Sequence, residues 1–296
     1  MSVASHEAAL LRAMPVVFVL IWSTGFIVAR YGMPHAPPFK FLAMRFALSL
    51  ACFLPWVWWS RVAWPRGRSQ WLHLAVTGVL MHAVYLGGVW AAVRSGMGSG
   101  LSALIVGLQP VLTAVWLSAR GGRVSVRQWQ GLLLGLTGLL LVVSRKFLQG
   151  GAGDHANLAN LAMVVAALLS ITVGTLYQKH FVAPCDVRSA SVVQLMAAFV
   201  LMLPLATLES TPMVWNTELA GAMAWSVLAL TLGGSSLLYL LIQRGAATSV
   251  TSLFYLVPPT TAVMAWLLFS EPVTAITLAG ISITALGVSL VLRAPR

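Results

Sequence analysis

Residues 190–208 read ASVVQLMAAFVLMLPLATL, nineteen positions without a charge. A helix needs about 20 apolar residues to cross the hydrocarbon of a bilayer. The stretch therefore predicts a membrane-crossing helix, and nine more like it follow from the same reading. With it they run 14–28, 39–59, 71–93, 100–119, 128–144, 158–177, 190–208, 220–242, 250–269 and 275–292. Inside lipid the backbone must satisfy its own hydrogen bonds, so each should be a helix. The alternation of faces that marks a barrel strand is absent. The expected fold is all-α and integral to the membrane, with ten crossings.

Composition agrees with that solvent. Of 296 residues, 59% are hydrophobic and 8% charged, against about 25% charged in a soluble domain. The net charge of +12 does not point to nucleic acid. Its Lys and Arg residues lie between apolar stretches, as topology signals and contacts to anionic lipid do. Cys52 and Cys185 form no metal or redox spacing. Nothing in the pattern asks for a cofactor. The first apolar stretch is too long for a signal-peptide core and is expected to be retained.

Ten crossings put both ends on one side. That side carries twelve of the eighteen cations, among them Arg61, Arg66, Arg68, Arg120, Arg123 and Arg127. The richer side should be cytoplasmic. Trp56, Trp58, Trp59, Trp64 and Trp71 bracket one loop there, as an interfacial belt would.

The chain also repeats itself. Gly107-Leu-Gln-Pro-Val111 aligns with Leu256-Val-Pro-Pro-Thr260 at an offset of 149, and the same offset pairs Gly131 with Gly280 and Gly138 with Gly287. The Gly-rich run from Gln149 to Asp154 is the linker candidate, which divides the chain into 1–148 and 149–296. Five helices per half is an odd number. The second half should then enter from the opposite face, as in many secondary transporters with a mid-membrane site.

The motifs resemble the EamA family of the drug/metabolite transporter superfamily. They are Leu20-Ile-Trp-Ser-Thr-Gly-Phe26, Met44-Arg-Phe-Ala47, Gln109-Pro110 and Gln130-Gly131 in the first half. The second half has Leu267-Leu-Phe-Ser-Glu-Pro-Val273, Ala279-Gly280 and Leu286-Gly287-Val288. Glu271 matches the family's turn glutamate; its counterpart in the first half is Gly122. The sixth helix lacks the Trp-containing opening seen at Trp22. The resemblance implies a ten-helix inverted-repeat transporter of the bacterial inner membrane. It would work by alternating access, exporting amino acids or related metabolites. Some relatives move drugs or nucleosides, so the alternative is another solute class: a drug-like compound, a nucleoside or a lipid headgroup.

Candidate binding residues are polar or aromatic side chains within the spans. His82 stands one turn from Tyr85 and titrates near neutral pH. Tyr177, Tyr239 and Tyr255 need partners for buried hydroxyls, which water in a cavity would supply. Trp22 and Trp90 offer broad apolar walls. Gln109 precedes Pro110, and Pro258 and Pro259 recur at the matching place. Proline frees a carbonyl and kinks the helix. Ser235 lies in Gly233-Gly-Ser-Ser236, a flexible stretch with hydroxyls. Arg45 lies roughly 8 Å inside its helix. It either pairs with a substrate carboxylate or snorkels to the interface.

Gly131, Gly135 and Gly138 form a small-residue face for close helix approach, at the repeat interface or in a homodimer. No acid lies deep in a span, which favours neutral, zwitterionic or anionic solutes over cations. An intramembrane enzyme would need paired acids, a metal set or a nucleophile with its base, and none is visible. A sensor or scaffold would need a soluble output domain or large loops, whereas these loops are short. The expected partners are a small-molecule substrate and membrane lipid.

Overall fold

The ends of the helices are written in local chemistry. Asn157 caps one helix in a reciprocal box with Asn160, its side chain accepting the Asn160 N–H while Asn160 accepts that of Asn157, both at 2.9 Å. Asp186 caps the next by accepting the Arg188 N–H at 2.9 Å. Its carboxylate also accepts two bonds from the Arg188 guanidinium, at 3.0 and 2.8 Å. That pair holds the Asp186 carboxyl below its ordinary value. Asn216 caps a third through the Leu219 N–H at 2.8 Å. Each cap satisfies a donor that the first helical turn cannot.

The computed structural model describes residues 3–97, 102, 105–148, 157–244, 247–269 and 275–293. They form α1 (Val3–Gly32), α2 (Pro38–Trp59), α3 (Arg68–Arg94), α4 (Gln109–Ala119) and α5 (Val126–Leu148). Then come α6 (Leu158–Phe181), α7 (Val187–Leu208), α8 (Thr217–Arg244), α9 (247–269) and α10 (Ala275–Leu292). There is no strand among the described residues. Five helices, α2, α3, α6, α7 and α8, are long and apolar enough to cross a membrane. Shorter apolar stretches are Ala13–Ala29 in α1 and Leu278–Val291 in α10. The expected linker, the Glu271 turn and the side chain of Pro258 lie outside the described residues.

Two pairs of helices depart from ideal α geometry at matched places. In α3 the segment Val79–Val84 is π-helical, and in α8 so is Ser226–Ser235. A π turn carries an extra residue and frees carbonyls for side-chain donors. Here Ser170 donates to the Leu80 carbonyl at 2.8 Å and Thr231 to Ser226 at 2.9 Å. In α4 a turn at Gly107 and Leu108 precedes the helix; in α9 the 3-10 segment Leu253–Leu256 precedes Val257–Phe269. Both breaks fall just ahead of the prolines, whose rings clash with the carbonyl four residues back.

Packing pairs helices across the two halves. α2 lies on α7, α5 on α10, α4 on α9, α3 on α6 and α1 on α8. In α5 with α10 and in α3 with α6 the contacts run antiparallel. Gly131 faces Gly287 while Gly138 faces Gly280 and Thr284. At one end of α3 Gly88 lies against Met163, and further back Ser170 reaches Leu80. Glycine lets the backbones approach closely.

Loops finish the two ends. At one, Glu209 accepts the Phe39 and Lys40 N–H groups at 3.1 and 2.8 Å, capping α2 from the end of α7. Lys40 also donates to the Thr211 carbonyl at 2.8 Å. At the other, Ser189 donates to the Ala63 carbonyl at 3.0 Å and Gln70 to that of Ala183 at 2.8 Å. We expect Glu209→Ala to cost about 1–2 kcal/mol, as loss of a helix cap does. Thermal unfolding in detergent should show it as a lower melting temperature, and Glu209→Gln should recover part of the loss.

Candidate functional site

A cavity of about 690 Å³, its open mouth included, lies between α1, α2, α3 and α8. Its walls include Trp22, Arg45, Tyr85 and Trp90, with Met33 and Leu230. From Trp22 to Met33 it follows α1 for about 16 Å, at about 1.5 Å per residue. So it runs from the middle of α1 to that helix's C-terminal end.

Below Trp22 the cavity has an aromatic floor. Phe18, Trp22 and Phe254 contact one another with ring centroids 5.2, 5.5 and 5.7 Å apart. Trp90 is packed on Phe41 at 4.9 Å, which fixes its wall. Tyr85 follows directly on the π segment of α3, and Leu230 belongs to that of α8. The irregular turns thus deliver two wall residues.

Arg45 is the charged wall. It is 4% exposed, and its Nε donates to the Thr231 hydroxyl on α8 at 2.8 Å. Thr231 in turn donates to the Ser226 carbonyl freed by the π turn. Neither terminal nitrogen has a hydrogen-bond partner among the described residues, and no carboxylate pairs with Arg45 there.

The sequence candidates fall in several places. Trp22, Tyr85 and Trp90 share the cavity. His82 lies behind its wall, 6.3 Å from the Phe46 ring. Ser235 closes a π turn by donating to the Leu230 carbonyl at 3.3 Å. Gln109 is fully buried between α4 and α6, donating to Thr175 at 3.2 Å, and its Oε1 has no partner among the described residues.

The other tyrosines lie elsewhere. Tyr177 bonds His73 Nδ1 at 2.7 Å. Tyr239 accepts from Gln243 at 2.8 Å and lies 3.0 Å from Cys185 Sγ. Both cluster at the opposite end from the mouth. Tyr255 is buried against Gly135, its hydroxyl without a partner among the described residues. So Tyr85 lines the cavity, whereas Tyr239 is spent on the closed end: its hydroxyl bonds locally and α8 carries it about two turns past Leu230.

Three polar residues drew no notice in the sequence. Gln194 donates to Thr77 at 2.8 Å and to Gln178 at 3.3 Å, all three buried. The signal was there: an amide in the middle of an apolar run marks a helix face turned from lipid.

The comparisons with known proteins decide the family. Residues 13–144 and again 158–293 match the EamA-like transporter family. The chain belongs to the EamA-like transporter family. It is a membrane protein, and its relatives are transporters by name. The uncharacterized inner membrane transporter YedA of Escherichia coli K12 is 25% identical over 248 residues, 83% of this chain and 78% of that one. A probable amino-acid metabolite efflux pump of Salmonella typhimurium is 22% identical over 173 residues, 56% of this chain and 52% of its own. A crystal structure 16% identical in sequence superposes with a TM-score of 0.76, covering 94% of both chains. That likeness speaks for the fold alone.

Proposed function

We propose that this EamA protein is a secondary transporter of the inner membrane that exports amino acids or related small metabolites by alternating access. The single observation that carries the reading is the cavity. It runs from the middle of α1 to that helix's C-terminal end, is walled by helices of both halves, and has an aromatic floor. Such a half-channel is what one state of an alternating-access cycle requires.

Ten crossings as two inverted five-helix repeats complete the proposal. Its support is the pairing of α5 with α10, equivalent helices by the 149-residue offset. They run antiparallel, Gly131 meeting Gly287 and Gly138 meeting Gly280. Repeats related by an axis along the membrane normal would leave equivalent helices parallel. The π segments of α3 and α8 flank the cavity at matched positions and suit hinges, since π turns collect at functional sites. Both ends are cytoplasmic by the cation count. The cavity mouth then faces away from the cytoplasm, and the Phe18–Trp22–Phe254 floor closes the cytoplasmic side.

The amino-acid reading draws on the Salmonella relative's name and on the absence of a carboxylate from the described cavity walls. The test is efflux. Bacteria expressing the full chain are challenged with amino acids, their toxic analogues and toxic cations, and survival and export of labelled solute are measured. We expect tolerance of at least one amino acid or analogue to rise about twofold or more over the empty vector. No protection and no efflux across the panel would falsify the export reading.

A further inference from the structure

We infer that Arg45 is the anion-recognition group of this cavity, and that the solute it holds carries a carboxylate. The inference rests on the export reading above and names the chemistry its substrate must have. The argument begins with position. Arg45 sits seven residues into α2, about 10 Å along the helix, and is 4% exposed. An arginine that snorkels to the interface sends its guanidinium toward water along the lipid face. This one turns inward across the bundle and is tied by Nε to Thr231 of α8.

The tie leaves the fork free. Arginine has five donors, and only Nε is engaged among the described residues. Arg45 lines the cavity with Trp22, Tyr85 and Trp90. Its ionisable neighbours are Tyr85 and His82. Neither carries negative charge at neutral pH. The carboxylates Asp186, Glu209 and Glu218 stand at helix ends. A charge inside a membrane protein is costly and is normally paired or functional. Here the missing counter-charge is an anion that arrives with the solute.

Geometry selects the anion. Two parallel N–H donors match the two oxygens of a carboxylate, a pairing that is directional as well as strong. Thr231 fixes the guanidinium plane beforehand, so little freedom is lost on binding. The aromatic walls then take the solute's apolar remainder. Trp90 is braced by Phe41 and Trp22 by Phe18 and Phe254, so the wall is already formed.

The experiment uses the purified full chain in detergent and in proteoliposomes. The probes are matched pairs: each standard amino acid and the same amino acid as its carboxamide. Binding is read by thermal stabilisation and transport by counterflow of the labelled acid. Wild type should be stabilised by one or more acids and at least about tenfold more weakly by the matching amides. Arg45→Gln should lose that discrimination, and Arg45→Lys should keep part of it, because the charge remains without the fork.

The acid-against-amide comparison needs no variant, so a misfolded Arg45→Gln does not decide the matter. Amides that bind and move as well as their acids overturn the inference and leave the export reading standing. A folded Arg45→Gln that still prefers acids overturns it too. If no probe binds or moves, both readings fall together.

Discussion

Gly25→Leu is expected to cut transport by about tenfold or more while the protein stays folded. Gly25 lies on the cavity wall contributed by α1. A Cβ placed there would find its nearest neighbour, Leu230 Cδ2, at 4.0 Å. That is ordinary van der Waals distance, so the backbone need not shift. Leucine would extend four heavy atoms into the space between Trp22, Arg45 and Tyr85. The solute would lose its seat, but no packed interface would be forced open.

Leucine also favours the helix over glycine by several tenths of a kcal/mol. The melting temperature should therefore move by no more than about 2 °C, the effect of a substitution that strains nothing. Gly25→Ala should keep most of the activity. Labelled-solute efflux and detergent melting curves on the same preparations make the test. Wild-type efflux by the leucine variant would mean that the solute passes elsewhere.

The second large effect is the reverse case, a variant that unfolds without touching the cavity. Gly138→Ala adds one carbon where α5 crosses α10. That carbon would lie 2.6 Å from the Gly280 carbonyl oxygen, a backbone atom that no rotamer change can move. The helices must separate, and every contact along the pair loosens with them. Overpacking of this kind costs about 1–3 kcal/mol. A melting temperature lower by about 2–12 °C should follow, since about 1 kcal/mol corresponds to 2–4 °C in chains of 150–250 residues. Gly138→Leu should give no monodisperse protein on size exclusion. Gly221→Ala is the control, with nothing within 4 Å of the added carbon. Should Gly138→Ala melt with the wild type, the α5–α10 approach is looser than a 2.6 Å distance to the Gly280 oxygen requires.

The contrast between these glycines shows what the sequence could carry. The pairing of Gly131 with Gly280 and of Gly138 with Gly287 was readable as a repeat, and those four residues are the ones that meet. Apolar length is legible as well for α2, α3, α6, α7 and α8, the five helices long and apolar enough to cross a membrane. Direction around a helix axis does not. A crossing helix is apolar on lipid and protein faces alike, so the azimuth of Tyr177, Tyr239 or Tyr255 leaves little trace in the chain. Trp22, Tyr85 and Trp90 fall together, whereas Tyr239 lies with Cys185 and Gln243 at the far end.

The π segments add a second source of error. One extra residue in a turn rotates everything beyond it by about 100°. Residues after Val84 and after Ser235 thus leave the faces that regular spacing assigns them. Arg45 was ambiguous for a different reason. Distance from the helix end suited both an interfacial anchor and a buried ligand, and only Thr231, 186 positions later, distinguishes them.

That long reach bears on how the protein is made. By the time residue 148 has left the ribosome, Arg45 has no Thr231, Gln109 no Thr175 and Thr77 no Gln194. Every buried core cluster likewise draws side chains from both halves. The nascent first half must wait in the translocon or the lipid with polar groups uncovered and glycine faces unmatched. Its partner half, as it is threaded in, completes the interior at a single stroke, so that synthesis is gradual but assembly is cooperative.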